Sequence, residues 1–412
     1  MHDIIRLRNG IKLIHSEIKS PVSHFGILVN AGTRDEPSDK MGLAHFVEHT
    51  IFKGTKKRKS FQVIKRLEDV GGELNASTSK EETYFHASFL SQDYARAVEL
   101  LSDIFFNSTF PEKELEKEKT VIEEEIEFYE DTPSELIFDE FETLLFGEHP
   151  LARNILGTKR SLKKLTRNDI FNFISSQYGL DRVVLSSSGN ISLKKLQNLC
   201  ERYFGSYPLN SEPQKRDVFS DYHPKNHIVN KKTSQTHLML GTLAYSFKEE
   251  NEKKKNAFTL LTNLVGGQGM SSRLNTAIRE RRGWAYTVEA NYTAFSDTGL
   301  FTVYLGCETS RTEQCIDEVF KVLQDVRTKK LGTLQLNYTK KQLIGQMALN
   351  NESKLNEMLA LGRTALFFDE VESVEETAAN INAITAEDIL EVANECFDRD
   401  AFSTLVFKGR LS

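Results

Sequence analysis

Ser23-His24-Phe25-Gly26-Ile27-Leu28 and Thr236-His237-Leu238-Met239-Leu240-Gly241 stand a little over 210 residues apart and parallel each other. Working outward, Leu165-Thr166-Arg167-Asn168-Asp169-Ile170 parallels Ile384-Thr385-Ala386-Glu387-Asp388-Ile389, and the Gly71-Gly72 break falls opposite Arg282-Gly283. Matches that keep one order and nearly one spacing mark an internal repeat. A chain of 412 residues is also too long for one ordinary core. The repeat predicts two copies of one domain.

The elements of the first copy set its class. Apolar and polar residues alternate on both sides of Asn9-Gly10, a dipeptide suited to a tight hairpin turn, so the chain opens as an antiparallel pair. A third strand at Phe25 to Val29, a polar loop from Thr33 to Lys40 and a helical pattern from about Met41 to Phe52 follow. Next come a helix near Phe61 to Val70, strand-like runs at Glu73 to Thr78 and Thr83 to Leu90, and helices to about Tyr178. A strand at Arg182 to Ser188 and a helix at Leu193 to Phe204 close the half. This order predicts an α+β fold of two homologous duplicated domains, each a mainly antiparallel sheet packed with helices. Pro208 to Gln235 holds three of the eight prolines, many charges and little periodicity. It predicts domains at 1–209 and 230–412 joined by a linker at 210–229.

Composition narrows the function. Apolar residues make up 39% and charged residues 27%, and no apolar run approaches the ~18 residues of a membrane span. A net charge of −6 leaves no basic footprint for nucleic acid. The expected partners therefore include neither nucleic acid nor membrane. Cys200, Cys307, Cys315 and Cys396 show no C-x-x-C spacing and read as reduced thiols. Met1 runs almost at once into a strand pattern, which predicts a cytoplasmic location.

Chemistry concentrates in His45-Phe46-Val47-Glu48-His49. Imidazoles at i and i+4 lie on one helix face and can hold one metal ion between two nitrogens. Glu48 falls near the same face, within reach of a metal-bound water as general base. A catalytic zinc takes three protein ligands and keeps one position open. The remaining His and Cys residues show no clustered partner, but the acidic helix from about Pro111 to Tyr129 has carboxylates to offer. On a helical wheel Leu115, Ile122, Ile126 and Tyr129 form an apolar stripe with Glu118 and Glu125 along one edge, while Glu123, Glu124 and Glu127 fall farther round. Geometry alone nominates Glu125 or Glu118. The second copy has no histidine pair at the matching place, so one metal site per chain is expected.

Gly42-Leu43-Ala44-His45-Phe46-Val47-Glu48-His49-Thr50-Ile51-Phe52-Lys53-Gly54-Thr55 resembles the motif helix and exit of the inverzincins. That family groups pitrilysin, insulin-degrading enzyme and the mitochondrial processing peptidases. Val121-Ile122-Glu123-Glu124-Glu125-Ile126 resembles the segment that supplies the third ligand, with Glu125 in the ligand position. Glu118 matches a further acidic position that supports the site without binding metal. In the second half, Gly269 to Leu274 and Arg279-Glu280-Arg281-Arg282-Gly283-Trp284-Ala285-Tyr286 resemble the family's other hallmark, which places Arg279 and Tyr286 on the substrate and its carbonyl. Asn75-Ala76 resembles the edge strand on which a substrate peptide aligns through backbone hydrogen bonds.

The resemblance implies a zinc endopeptidase with one Zn2+ per chain, held by His45, His49 and Glu125. Short members have two repeated domains, so this chain is expected to form half of a clamshell. A homodimer would then complete each active site with the other copy's C-terminal domain. Manganese or cobalt can replace zinc, since availability and geometry decide occupancy. The alternatives are a non-catalytic peptide-binding or structural subunit, a role some relatives have, and a metal-dependent esterase or deaminase, which needs a small pocket in place of a peptide-aligning strand.

Overall fold

A computed structural model describes residues 3–208 and 215–410. The boundary expected at 209 and the first linker residues, 210–214, lie outside the described residues. Strands β1 (Ile4–Arg6), β2 (Lys12–Glu17), β3 (Val22–Val29), β4 (Glu73–Thr78), β5 (Thr83–Leu90) and β6 (Val183–Gly189) form one sheet in the order β1-β2-β6-β3-β5-β4. Strands β7 (Asn226–Asn230), β8 (Thr236–Ala244), β9 (Ala285–Ala294), β10 (Gly299–Cys307) and β11 (Ser403–Lys408) form a second in the order β7-β11-β8-β10-β9. Each sheet contains one parallel pair, β2 with β6 and β11 with β7, and is otherwise antiparallel. This is the duplicated α+β architecture that the repeat predicts.

The repeated motifs are local devices that both copies need. Thr166 accepts a hydrogen bond from Asp169 N–H while Asp169 accepts from Thr166 N–H; Thr385 and Asp388 do the same. Each pair starts a helix by satisfying donors that have no partner within it. Gly71 and Gly283 take φ of 75° and 62°, a left-handed conformation that a side chain would strain.

The central strands of both sheets are buried on two faces. On β3, Phe25 points toward Phe204, with ring centroids 6.3 Å apart. The alternate residues Gly26 and Leu28 meet Met358 and Gly362 of the helix Lys354–Phe367. That helix is tied down by Ser16 and Ser188, whose hydroxyls donate to the two oxygens of Glu357 at 2.9 and 3.0 Å. On the second sheet Met239, Leu300, Tyr304, Leu405 and Phe407 pack against Ile137, Phe141, Leu145 and Phe146 of the helix Pro133–Phe146. Its opposite face buries Leu238, Leu240, Phe301, Val303 and Val406 with residues of the helices Glu252–Gly266, Thr312–Thr328 and Ala386–Cys396.

The compact units are consequently discontinuous. One comprises Met1–Glu127, Arg153–Asp217 and Ala348–Ser373; the other comprises Phe128–Ala152, Val218–Met347 and Val374–Ser412. The split at 210–229 expected from composition places the main crossing near Asp217 but omits this exchange of helices between the halves. A sheet with two apolar faces needs a cover on each, and here one cover comes from the other half of the chain. Residues 226–230 also belong to β7, not to a linker. That strand is almost wholly exposed, so it has no apolar alternation to reveal it. Among the described residues no helix is long and apolar enough to cross a membrane.

Candidate metal centre

The helix Leu43–Thr50 carries the H-x-x-E-H motif through the interior of the first unit, burying Leu43, Ala44, Phe46 and Val47. Its entry is held by Glu36, whose two carboxylate oxygens accept from Gly42 N–H and Ala44 N–H at 3.0 and 2.8 Å. The loop just before Glu36 is anchored by a buried ion cluster. Arg34 binds Glu81 at 2.7 Å, and Asp35 takes Arg216 at 2.8 Å and Arg182 at 3.2 Å. Removing one partner would leave a buried charge uncompensated, so the cluster holds this loop in a single arrangement.

The acidic helix runs Glu112–Glu130 and buries Leu115, Ile122 and Ile126, with Glu118 buried beside them. Its outward carboxylates find exposed cations: Glu127 binds Lys159 at 2.8 Å and Glu123 lies 3.5 Å from Lys163. Glu125 turns toward the motif helix instead. Its Oε2 lies 3.7 Å from His45 Nε2 and 3.4 Å from His49 Nε2, and the His45 and His49 ring centroids are 4.5 Å apart. One ligand atom from each of the three residues falls within 4.8 Å of the others.

These spacings fit zinc. Ligand atoms on a tetrahedral Zn2+ with bonds of about 2.0–2.1 Å stand roughly 3.3 Å from one another, close to the two separations found here. The donor set of two imidazoles and one carboxylate is that of a catalytic site with an open position. Protonation also suits it. Burial, aided by the neighbouring His49, pushes His45 down to about 4 against the pull of Glu125, which leaves the imidazole neutral and able to ligate. Burial would lower His49 as well, but Glu125, Glu48 and Glu118 outweigh it and raise its pKa. The same contact with His49 holds Glu125 below the ordinary carboxylate range.

Glu118 occupies a different place. Its Oε2 lies 3.4 Å from His49 Nδ1, on the far side of the ring from Glu125, and its Oε1 lies 2.5 Å from Lys53 Nζ. A carboxylate behind a ligating imidazole fixes the tautomer and ring angle. The two glutamates left open by the wheel are thus separated by geometry, Glu125 in front of the ring nitrogens and Glu118 behind one of them. Lys53 was not singled out from sequence. Its position just past the end of the motif helix, four residues after His49, is the signal that could have found it. His45 Nδ1 is buried and has no hydrogen-bond partner among the described residues.

Glu48 is half-buried beside the Thr78 hydroxyl of β4 and close to His49. Burial, with Glu125 adding, raises its pKa against the pull of Thr78 and His49, which moves it toward the range useful to a general base. Asn75 and Ala76 also lie on β4, an edge strand that among the described residues pairs only with β5. Arg279 and Tyr286 belong to the second unit. The Arg279 guanidinium sits 5.2 Å from the centre of the Tyr286 ring, and Tyr286 is 77% exposed.

The chain thus pairs a duplicated two-domain fold with a residue group able to hold a metal, and comparison with known proteins shows its family. Residues 13–159 match "Insulinase (Peptidase family M16)" and residues 164–343 match "Peptidase M16 inactive domain". The uncharacterized zinc protease YmxG of Bacillus subtilis is 30% identical over 97% of this chain and 96% of its own length. An uncharacterized zinc protease of Mycobacterium tuberculosis is 32% identical over 91% of this chain and 85% of its own. The chain therefore belongs to the insulinase family, peptidase family M16. Two solved structures share the fold. A peptidase M16 inactive domain from Pseudomonas fluorescens superposes with a TM-score of 0.92 at 19% identity, covering 100% of this chain and 98% of its own. A protease from Helicobacter pylori superposes with a TM-score of 0.88 at 21% identity, covering 99% of each chain.

Proposed function

We propose that this chain is a zinc-dependent endopeptidase that cleaves unstructured peptides or precursor segments. The observation that carries the reading is the convergence of His45 Nε2, His49 Nε2 and Glu125 Oε2 beside a half-buried Glu48 of raised pKa. Zinc, when bound, supplies a Lewis acid for the scissile carbonyl and brings the pKa of water down toward neutrality. Glu48 takes the proton of the attacking water and returns it to the leaving amine. Glu118, braced by Lys53, holds His49 in its ligating orientation. The edge of β4 at Asn75 and Ala76 aligns the substrate backbone by strand addition.

Arg279 and Tyr286 bind the substrate and its developing oxyanion, supplied by a second copy of the chain in a homodimeric chamber. The proposal includes one zinc per chain and a cytoplasmic site of action, in keeping with four cysteines that are all free and buried. The test is cleavage of a mixed peptide library, read by mass spectrometry, by wild type and Glu48→Gln. Loss of turnover by about 10²–10⁴-fold is expected in the variant. Full activity in Glu48→Gln would sink the mechanism.

A further inference from the structure

Strand β4 has two unlike ends. Its edge is open along Asn75 and Ala76, but the turn that follows Thr78 is buried, with Lys80, Glu81 and Glu82 all inside the first unit. Hairpin turns ordinarily lie at the surface, because buried backbone and charge need partners. Here the partners are supplied. Glu81 takes Arg34 at 2.7 Å and Arg216 at 3.3 Å, and Glu82 takes Arg363 at 2.9 Å. The Ser79 and Lys80 carbonyls accept from Thr33 N–H at 3.2 Å and Arg34 N–H at 2.8 Å. The turn cannot shift without breaking a buried ion pair, which is costly.

The segment that grips it, Thr33 to Glu36, also leads into the motif helix through the Glu36 carboxylate. One clamp therefore fixes the last residue of β4 against the helix that carries Glu48. Alternation puts Ala76 and Thr78 on one face of β4 and Asn75 and Ser77 on the other. The Thr78 hydroxyl comes within hydrogen-bonding reach of the Glu48 carboxylate. It is buried and has no other hydrogen-bond partner among the described residues. Of the charged groups around Glu48, His49 and Glu125 belong to the metal centre, which leaves Thr78 as the neutral donor that can hold the carboxylate.

Resting on the peptidase reading above, we infer that Thr78 is the positioning residue of Glu48: its hydroxyl donates to one carboxylate oxygen and leaves the other turned to the proton that the base removes. A carboxylate offers about four lone-pair sites, and a fixed donor selects among its rotations. Catalysis is sensitive to that selection, since a misplacement of about 1 Å can cost roughly 10²-fold. The strand that receives the peptide thus also sets the base, its open edge serving the first task and its clamped end the second.

The test compares wild type, Thr78→Val, Thr78→Ser and Glu48→Gln on a quenched fluorescent peptide built on a cleavage site from the library, with zinc content measured for each protein. Thr78→Val keeps a strand-forming shape without the hydroxyl. It should lower kcat by about ten- to a hundredfold with KM and zinc content unchanged, the pattern of an interaction made in the transition state. Thr78→Ser keeps the donor and should restore most of kcat. Thr78→Ala serves if Thr78→Val misfolds. Full kcat in Thr78→Val, in a chain that Glu48→Gln silences, overturns the inference and leaves the peptidase reading standing. A raised KM or lost zinc in Thr78→Val, or no recovery in Thr78→Ser, also overturns it, because the residue then acts on the substrate, the metal or the fold. A wild type that cuts no peptide overturns both.

Discussion

The helices Glu112–Glu130 and Thr333–Asn351 have the same length and the same place in the repeat, and they share one apolar stripe with opposite chemistry beside it. Aligned from their first residues, Leu115 falls on Leu336, Ile122 on Leu343 and Ile126 on Met347. Glu118 falls on Thr339, whose hydroxyl donates to the Gln335 carbonyl of its own helix, and Glu125 falls on Gln346. The second helix contains no acidic residue. The facing helices diverge in the same way. At the offset that aligns β3 with β8, His45 falls on Phe258, Glu48 on Leu261 and His49 on Thr262. Phe258 packs among Tyr245, Tyr292, Phe301 and Phe397. The stripe builds the fold in both units, while the proposed metal-binding set is a few substitutions along its edge.

The exchanged helices repeat the lesson in packing. In the first unit the sheet offers Leu28 and the helix Gly362; in the second the sheet offers Gly241 and the helix Phe141. A Cβ on Gly362 would come within 2.6 Å of Leu28, and one on Gly241 within 2.7 Å of Phe141. The bulk has changed sides, but each interface remains full.

The largest effect expected from breaking this correspondence is on stability. Phe141→Ala should cost about 3–5 kcal/mol in denaturant unfolding, because Gly241 has no side chain to fill the space. Met358→Ala, at the matching interface of the first unit, should cost less, since Leu28, Leu361 and Ala365 remain packed there. Equal losses would mean that the two interfaces do not carry the bulk as described.

Next in size is the support behind the metal. Lys53→Ala should reduce zinc affinity by about 10–100-fold in a chelator competition titration, because Glu118 loses its brace. Unchanged affinity would show that Glu118 holds His49 without it.

The smallest effect concerns how the two helices are capped. The Asn251 side chain accepts from Lys254 N–H at 3.2 Å at the start of Glu252–Gly266, and it cannot titrate. Glu36 does the corresponding work for the motif helix, and burial pushes its carboxyl up to about 8, against its two backbone donors and Arg153. A raised folded pKa means a contribution that is complete below the ordinary value of 4.5 and is lost as pH rises toward about 8. Wild type should therefore lose stability across that window, with a slope of at most about 1.4 kcal/mol per pH unit. Glu36→Gln should flatten the profile, and an unchanged slope would assign it to other groups.

Much of this was legible because it is local. The strands of the first sheet, the repeated segments at Thr166 and Thr385, which prove to be helix caps, and the break at Gly71 with its counterpart Gly283 each depend on a few adjacent residues. The i, i+4 histidines and the wheel of the acidic helix likewise need only helical periodicity. What stayed hidden depends on distance. Nothing within Pro133–Phe146 says that its apolar face meets Gly241 and not its own half's sheet. The wheel put Glu118 and Glu125 on one edge without telling them apart; the resemblance named Glu125 the ligand and Glu118 its support, and the fold puts one in front of His49 and the other behind. Arg279 and Tyr286 came from family resemblance alone, since no periodicity marks an exposed tyrosine as functional.

The central claim is that one unit of the duplicated pair holds a metal and that Glu125 completes its ligands. Its most direct test is metal content by plasma mass spectrometry after dialysis in buffered zinc, for wild type and Glu125→Gln. The account predicts one zinc per wild-type chain and a large loss in Glu125→Gln. A variant that kept its zinc, or a wild type that held two per chain, would contradict it.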